Sequence, residues 1–165
     1  MDVAIIKYVQ NHFHNRFTDL FFPFLSRIGN AGAVWFVFAF YLAFHRQTRH
    51  FAFVLFFSLA LAHIISQILK PIIGRPRPFV AHPGAPLLIR TPGGSSCPSG
   101  HSASSFAAAT VLCIFDRRIG LAVYSLALLI AFSRIFVFVH YPSDTFLGAL
   151  LGVLSAMFIL YLYKL

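Results

Sequence analysis

Acid is what this sequence lacks most. Asp2, Asp19, Asp116 and Asp144 are its only side-chain carboxylates in 165 residues, which leaves almost no room for a mechanism built on a cluster of acidic metal ligands. Charge of either sign is scarce, at 10% of residues against about 25% in soluble domains. With 59% apolar residues, a water-soluble fold could not hide this much hydrophobic surface, and an ordinary soluble domain is excluded. Cysteine is limited to Cys97 and Cys113. The second lies deep in an apolar run, roughly 24 Å from the first if the intervening chain is helical. That is beyond bridging reach, so each reads as a small buried hydrophobe. A basic amino-terminal region with a small-residue cleavage site is also missing, and Met1-Asp2-Val3 does not read as a removable signal peptide.

What is abundant is basic charge with no solvated stripe to carry it. The 13 Lys and Arg give a formal net charge of +9 but sit between long apolar runs, so anionic lipid headgroups, and not nucleic acid, are the expected partners. Residues 51–69, 102–115, 119–139 and 145–163 read as membrane-spanning helices, and 31–44 makes a fifth. The fold class is therefore an all-α integral membrane protein, a bundle of five transmembrane helices. The first 30 residues differ: Ile5, Ile6, Val9, Phe13 and Phe17 recur at helical spacing among polar residues, which predicts an amphipathic helix at the membrane interface. A sixth crossing built from residues 1–28 is the alternative.

Alternation sorts the connections. The links 45–50 and 116–118 share one side with Lys164 and pack five Lys/Arg into short pieces, so the positive-inside rule places them in the cytoplasm. The 70–101 loop and the 140–144 turn then face the extracytoplasmic side. That loop holds seven of the nine prolines and reads as stiff and helix-free, suited to holding side chains over helix ends. No internal repeat is evident, and residues 1–165 read as a single membrane domain.

Three segments carry chemistry. Lys70, Arg75 and Arg77 place three cations at a span boundary, where interfacial anchoring competes with anion binding. Pro98-Ser99-Gly100-His101 precedes a small-residue helix start, so a hydroxyl and a glycine N–H beside a helix amino terminus make an anion cradle, against the plainer reading of an N-cap. Ser133-Arg134 lies inside an apolar run, where an unpaired guanidinium costs several kcal/mol and calls for an anion. His140 follows just past that run. Asp144, four residues on, can accept from one imidazole nitrogen and leave the other as nucleophile or base. All three segments end at one membrane face. Together they describe a phosphoryl-transfer site in which cations and N–H donors stabilise the transferring group without metal.

The pattern Lys-x6-Arg-Pro, Pro-Ser-Gly-His and Ser-Arg-x5-His-x3-Asp resembles that of the type 2 phosphatidic acid phosphatases, the PAP2 superfamily, which also includes soluble acid phosphatases and vanadium haloperoxidases. Lys70, Arg77, Pro78, Pro98 to His101, Ser133, Arg134, His140 and Asp144 meet it at every position. The resemblance implies that His140 attacks phosphorus to form a phosphohistidine, that Asp144 orients it, and that His101 protonates the leaving oxygen and then activates water. Lys70, Arg77, Arg134, Ser99 and Gly100 would hold the phosphoryl group, with no metal or other cofactor. Arg75 falls outside the strict pattern and is given a contact to a second phosphate or headgroup.

A site at a membrane face implies a lipid whose tail stays in the bilayer. The segment from Asn15 to Asp19 resembles bacterial undecaprenyl-diphosphatases of the family. Undecaprenyl diphosphate, phosphatidylglycerophosphate and phosphatidic acid are the expected substrates. The rival class is a small anion or lipid transporter using the same cations for binding alone. Inside the second span, His63 with Ser66 and Gln67 reads as an interhelical hydrogen bond.

Overall fold

In lipid only a helix or a closed barrel satisfies its own backbone. The computed structural model describes residues 1–85 and 87–165 and contains no strand among them. The order is α1 (Asp2–His12), α2 (Thr18–Ile28), a 3-10 turn (Asn30–Gly32), α3 (Ala33–Phe44), α4 (Arg49–Ile73), α5 (Pro78–Ala81), α6 (Gly100–Phe115), α7 (Arg117–Phe136) and α8 (Pro142–Leu162). Among the described residues α4 with its continuation to Ala81, α7 and α8 are each long and apolar enough to cross a membrane. α2 and α3 meet that criterion only together, across a 50° bend, and α6 is a shorter apolar helix.

Local chemistry sets the ends. Asn15 Oδ1 accepts the N–H groups of Phe17 and Thr18 at 2.9 and 3.0 Å, an Asx turn that leads into α2. Asp116 caps α7, accepting from Arg118 and Ile119 at 2.8 and 3.1 Å. Two limits differ from the sequence reading. α4 continues through Pro71 to Ile73, so Lys70 belongs to its last turn and the connection runs over 74–99. That connection is not helix-free: Pro78 opens the single turn α5, where its fixed φ favours a helix start. The helix expected to reach Val139 stops at Phe136.

α6 is the central helix, packed against α4, α7 and α8. It can be central because its inward face is small: Ala103, Ala107, Ala108 and Ala109 are all buried. On α8, Gly148 and Gly152 meet it one turn apart. A Cβ on Gly148 would strike the Ser99 carbonyl, and one on Gly152 the Ala103 carbonyl. The two helices therefore touch backbone to backbone, the close packing that small residues permit in lipid. Large side chains point outward instead, with Phe40, Phe44, Phe53, Ile68, Phe146 and Leu154 all exposed, the inverse of a soluble protein. α1 and α2 pack on the end of α7, through Val9, Phe22 and Leu25 against Phe136 and Val137.

Candidate active site

The chain turns sharply after α7. Phe138 adopts a left-handed backbone (φ 61°), a conformation that costs a non-glycine residue roughly 1–2 kcal/mol. The amides of Val139 and His140 both donate to the Arg134 carbonyl at 3.2 Å. Burial of Phe138 beside Ile6 and Tyr141 offsets the backbone cost, and the turn aims His140 inward, where it is 2% exposed.

The neighbours of His140 determine its tautomer. Arg77 Nη1 lies 3.4 Å from Nε2, and a guanidinium can only donate, so Nε2 carries the lone pair. The proton then sits on Nδ1, which faces Asp144 Oδ2 at 3.8 Å and has no closer partner. That spacing is longer than a hydrogen bond, as is common before a substrate draws a site together. Burial, aided by the Arg134 and Arg77 charges and opposed by Asp144, pushes the His140 pKa down to about 4, so the ring is neutral at physiological pH.

Asp144 is fully buried at the start of α8. Its Oδ2 accepts the Tyr141 N–H at 2.9 Å, the N3 side chain bonding back to the N-cap backbone at the start of α8. Its Oδ1 accepts from Arg75 Nη1 at 2.7 Å. The Arg75 guanidinium is thus committed to protein partners, and it also lies 3.9 Å over the Tyr141 ring.

The cations approach from three elements. Arg77, 4% exposed, donates to the carbonyls of Gly93, Gly94 and Val139, each at 3.0 Å. The glycine-rich connection therefore serves as a clasp around this side chain. Arg134, also buried, donates through Nη1 to Ser26 Oγ, while its Nε lacks a partner. An unpaired buried donor costs about 1–3 kcal/mol, and a bound anion removes that cost. Lys70 is half-buried on the last turn of α4.

Ser99 is the N-cap of α6 and is fully buried; its hydroxyl oxygen accepts from the Ser102 amide at 3.4 Å and hydroxyl at 3.2 Å. Gly100 begins the helix. His101 Nε2 lies 3.2 Å from the Ser26 carbonyl and 3.0 Å from Asn30 Oδ1. Both are acceptors, so Nε2 carries the proton. Next door, burial pushes the Cys97 thiol up to about 11, which removes it as a nucleophile at neutral pH.

Two cavities meet at His101. One, about 390 Å³, is mostly apolar and runs between α3, α4 and α6 past Gly32, Phe36, Leu59 and His63. The other, about 420 Å³, is polar and lined by Ser26, Arg27, Asn30, Arg90, His101 and Arg134. His63 pairs with Gln67 on its own helix at 3.4 Å, so the expected interhelical bond is not formed. Four of these residues escaped the sequence reading. Ser26, Arg27 and Asn30 lie in a segment with no motif, and Arg90 stands in the proline-rich connection as a lone cation.

The PAP2 superfamily model matches residues 51–165. The chain is 34% identical over 116 residues to the bacitracin transport permease protein BcrC of Bacillus licheniformis, covering 69% of this chain and 57% of that one. It is 32% identical over 130 residues to an undecaprenyl-diphosphatase of Sulfolobus acidocaldarius, covering 78% and 63%. It therefore spans less than two thirds of the length of these two relatives. Among solved structures, LpxE of Aquifex aeolicus superposes with a TM-score of 0.87 at 28% identity, over 97% of this chain and 94% of that one.

Proposed function

Because the chain belongs to the PAP2 superfamily, we propose that it is a metal-independent lipid phosphatase working through a phosphohistidine on His140. The observation that carries this reading is the state of His140: neutral, with its Nε2 lone pair directed at a cation and its Nδ1 proton toward a buried carboxylate. A side chain that only bound an anion would need no such arrangement.

In the first step His140 Nε2 bonds to phosphorus as the P–O bond to the lipid breaks, and the leaving oxygen takes a proton from His101, which enters the step as the imidazolium and leaves it neutral. In the second, His101 accepts a proton from water, whose oxygen bonds to phosphorus as the P–N bond breaks. The products are inorganic phosphate and the dephosphorylated lipid, and both histidines return to their starting states. Lys70, Arg77 and Arg134, with the Ser99 hydroxyl and the Gly100 N–H, hold the equatorial oxygens as charge develops on them. Asp144 stabilises the imidazolium character that His140 acquires.

The substrate is a lipid phosphate with its tail in the apolar cavity beside His101. Arg27 and Arg90 in the polar cavity favour a second anionic group, so a polyprenyl diphosphate such as undecaprenyl diphosphate stands ahead of phosphatidylglycerophosphate and phosphatidic acid. The relative named an undecaprenyl-diphosphatase supports the first of these substrates.

Residues 1–165 act as one membrane domain with five crossings, formed by α2–α3 as a bent span, α4, α6, α7 and α8. α1 lies at the interface, and the site opens on the extracytoplasmic side of the cell membrane, opposite the Arg46, Arg49, Arg117 and Arg118 links. Purified protein presented with a panel of lipid phosphates in detergent and EDTA tests the reading. Phosphate release that depends on His140 is expected, and binding or flux without release indicates the transport class named for the Bacillus licheniformis relative.

A further inference from the structure

The surface helix α1 touches the site through one face. Asp2, Ile6 and Gln10 follow each other at four-residue intervals, which aligns them along one side of a helix. All three are engaged with the chain that carries His140. Gln10 Nε2 donates to the Phe136 carbonyl at 2.8 Å. Ile6 is fully buried against Phe138 and Tyr141. Asp2 Oδ1 accepts the Ser143 N–H at 3.2 Å, and Asp2 Oδ2 accepts the Ser143 hydroxyl. These contacts flank His140 on both sides in sequence.

Asp2 Oδ2 also accepts from Arg75 Nη2 at 2.7 Å. Arg75 in turn donates through Nη1 to Asp144 Oδ1 at 2.7 Å and meets Ser143 Oγ at 2.7 Å. The guanidinium is therefore held between two carboxylates, one on α1 and one on α8, and packed over Tyr141. With Oδ1 occupied by Arg75, Asp144 presents Oδ2, which also accepts the Tyr141 N–H at 2.9 Å, toward His140 Nδ1 at 3.8 Å. Planar Arg–carboxylate contacts fix orientation as well as charge.

We propose that Asp2 and Arg75 are positioning residues for the reaction: together they lock the Asp144 carboxylate in the rotamer that holds His140 as the Nδ1-protonated tautomer. Arg75 acts through Asp144 and touches no substrate, and α1 is a clamp on the nucleophile's turn. This inference rests on the phosphatase reading for its kinetic consequence but not for its structural one.

Two measurements on the 165-residue chain in micelles separate those layers. Side-chain 15N spectra of histidine report the tautomer of His140 without any turnover. The wild type should show one Nδ1-protonated form, and Asp2→Asn and Arg75→Ala should show mixed tautomers. Initial rates with a lipid diphosphate should show kcat lowered about 10- to 100-fold in both variants, the range typical for groups that orient a reacting residue, with KM nearly unchanged. Asp2→Glu should recover part of kcat, and the Asp2→Asn/Arg75→Ala double variant should lose little more than Arg75→Ala alone, since both act on one carboxylate. Circular dichroism checks that each variant is folded. Spectra of Asp2→Asn and Arg75→Ala identical to wild type overturn the inference, as does an Arg75→Ala effect confined to KM. A wild type with the ordered tautomer but no phosphate release overturns the functional reading and leaves the clamp standing.

Discussion

Ser99 and Asp144 are joined backbone to backbone, the Ser99 N–H donating to the Asp144 carbonyl at 3.0 Å. This single bond ties the first turn of α6, which carries Ser99, Gly100 and His101, to the first turn of α8, which carries the carboxylate beside His140. The turn proposed to cradle the anion and the carboxylate beside His140 are thus joined directly, and Gly148 permits the contact by leaving the Ser99 carbonyl clear.

Gly148→Ala should therefore damage catalysis before it damages folding. The added Cβ has to push α8 from α6 at Ser99, an overpacking that costs roughly 1–3 kcal/mol. Thermal unfolding should begin at a lower temperature, and kcat at a temperature where the variant is fully folded should fall at least about tenfold, since small misplacements of reacting groups are costly. A folded variant with normal kcat would show that the contact does not set the site.

The buried imidazole gives a pH signature with a defined sign. His140 ordinarily titrates near 6.5, and burial lowers it to about 4 in the folded protein. Between those values the unfolded chain binds a proton that the folded chain does not. The contribution of this group to stability is therefore complete above pH 6.5 and is lost as pH falls toward 4. Histidine 15N shifts should leave His140 neutral from pH 8 to pH 5, and the unfolding midpoint should drop over the lower part of that range. A His140 titration midpoint near 6.5 would contradict the burial argument.

Arg27 and Arg90 should discriminate between one phosphate and two. Both line the polar cavity with Arg134 and His101, apart from the residues proposed to hold the reacting phosphoryl group. The Arg27→Ala/Arg90→Ala variant should lose at least about tenfold in kcat/KM for a polyprenyl diphosphate, since each charge-assisted contact removed is worth roughly 1.5–3 kcal/mol, and far less for the matching monophosphate. Equal losses on both substrates would place these arginines at the membrane surface as anchors.

Much of this site was legible in the sequence because its parts lie in short strings. The Lys70 to Pro78, Pro98 to His101 and Ser133 to Asp144 segments each sit at the end of an apolar run, and alternation of runs brings the ends together. Beside a phosphate site the sequence offers Arg75 a second-phosphate or headgroup contact, and in the fold its guanidinium bonds Asp144, Ser143 and Asp2. One of its partners, Asp2, is 73 residues away on a helix whose apolar periodicity gives no hint of a carboxylate beside the His140 turn. Ser26 escaped for the same reason, since its pairing with Arg134 spans 108 residues. The amphipathic pattern of α1 was visible, but which element its buried face met was a matter of tertiary packing. The bend between α2 and α3 was likewise unreadable, because α2 alone is too short and too polar to register as a span.

The most direct test is rapid acid-free quenching of the enzyme mixed with a lipid diphosphate carrying a radiolabelled terminal phosphate. The account predicts a protein-bound label that is stable to base, labile to acid and located on His140. His101→Ala should retain it longer, because the group that activates water is gone, and His140→Ala should show neither label nor phosphate release. Phosphate release by His140→Ala near the wild-type rate, or a label on any other side chain, would contradict the account.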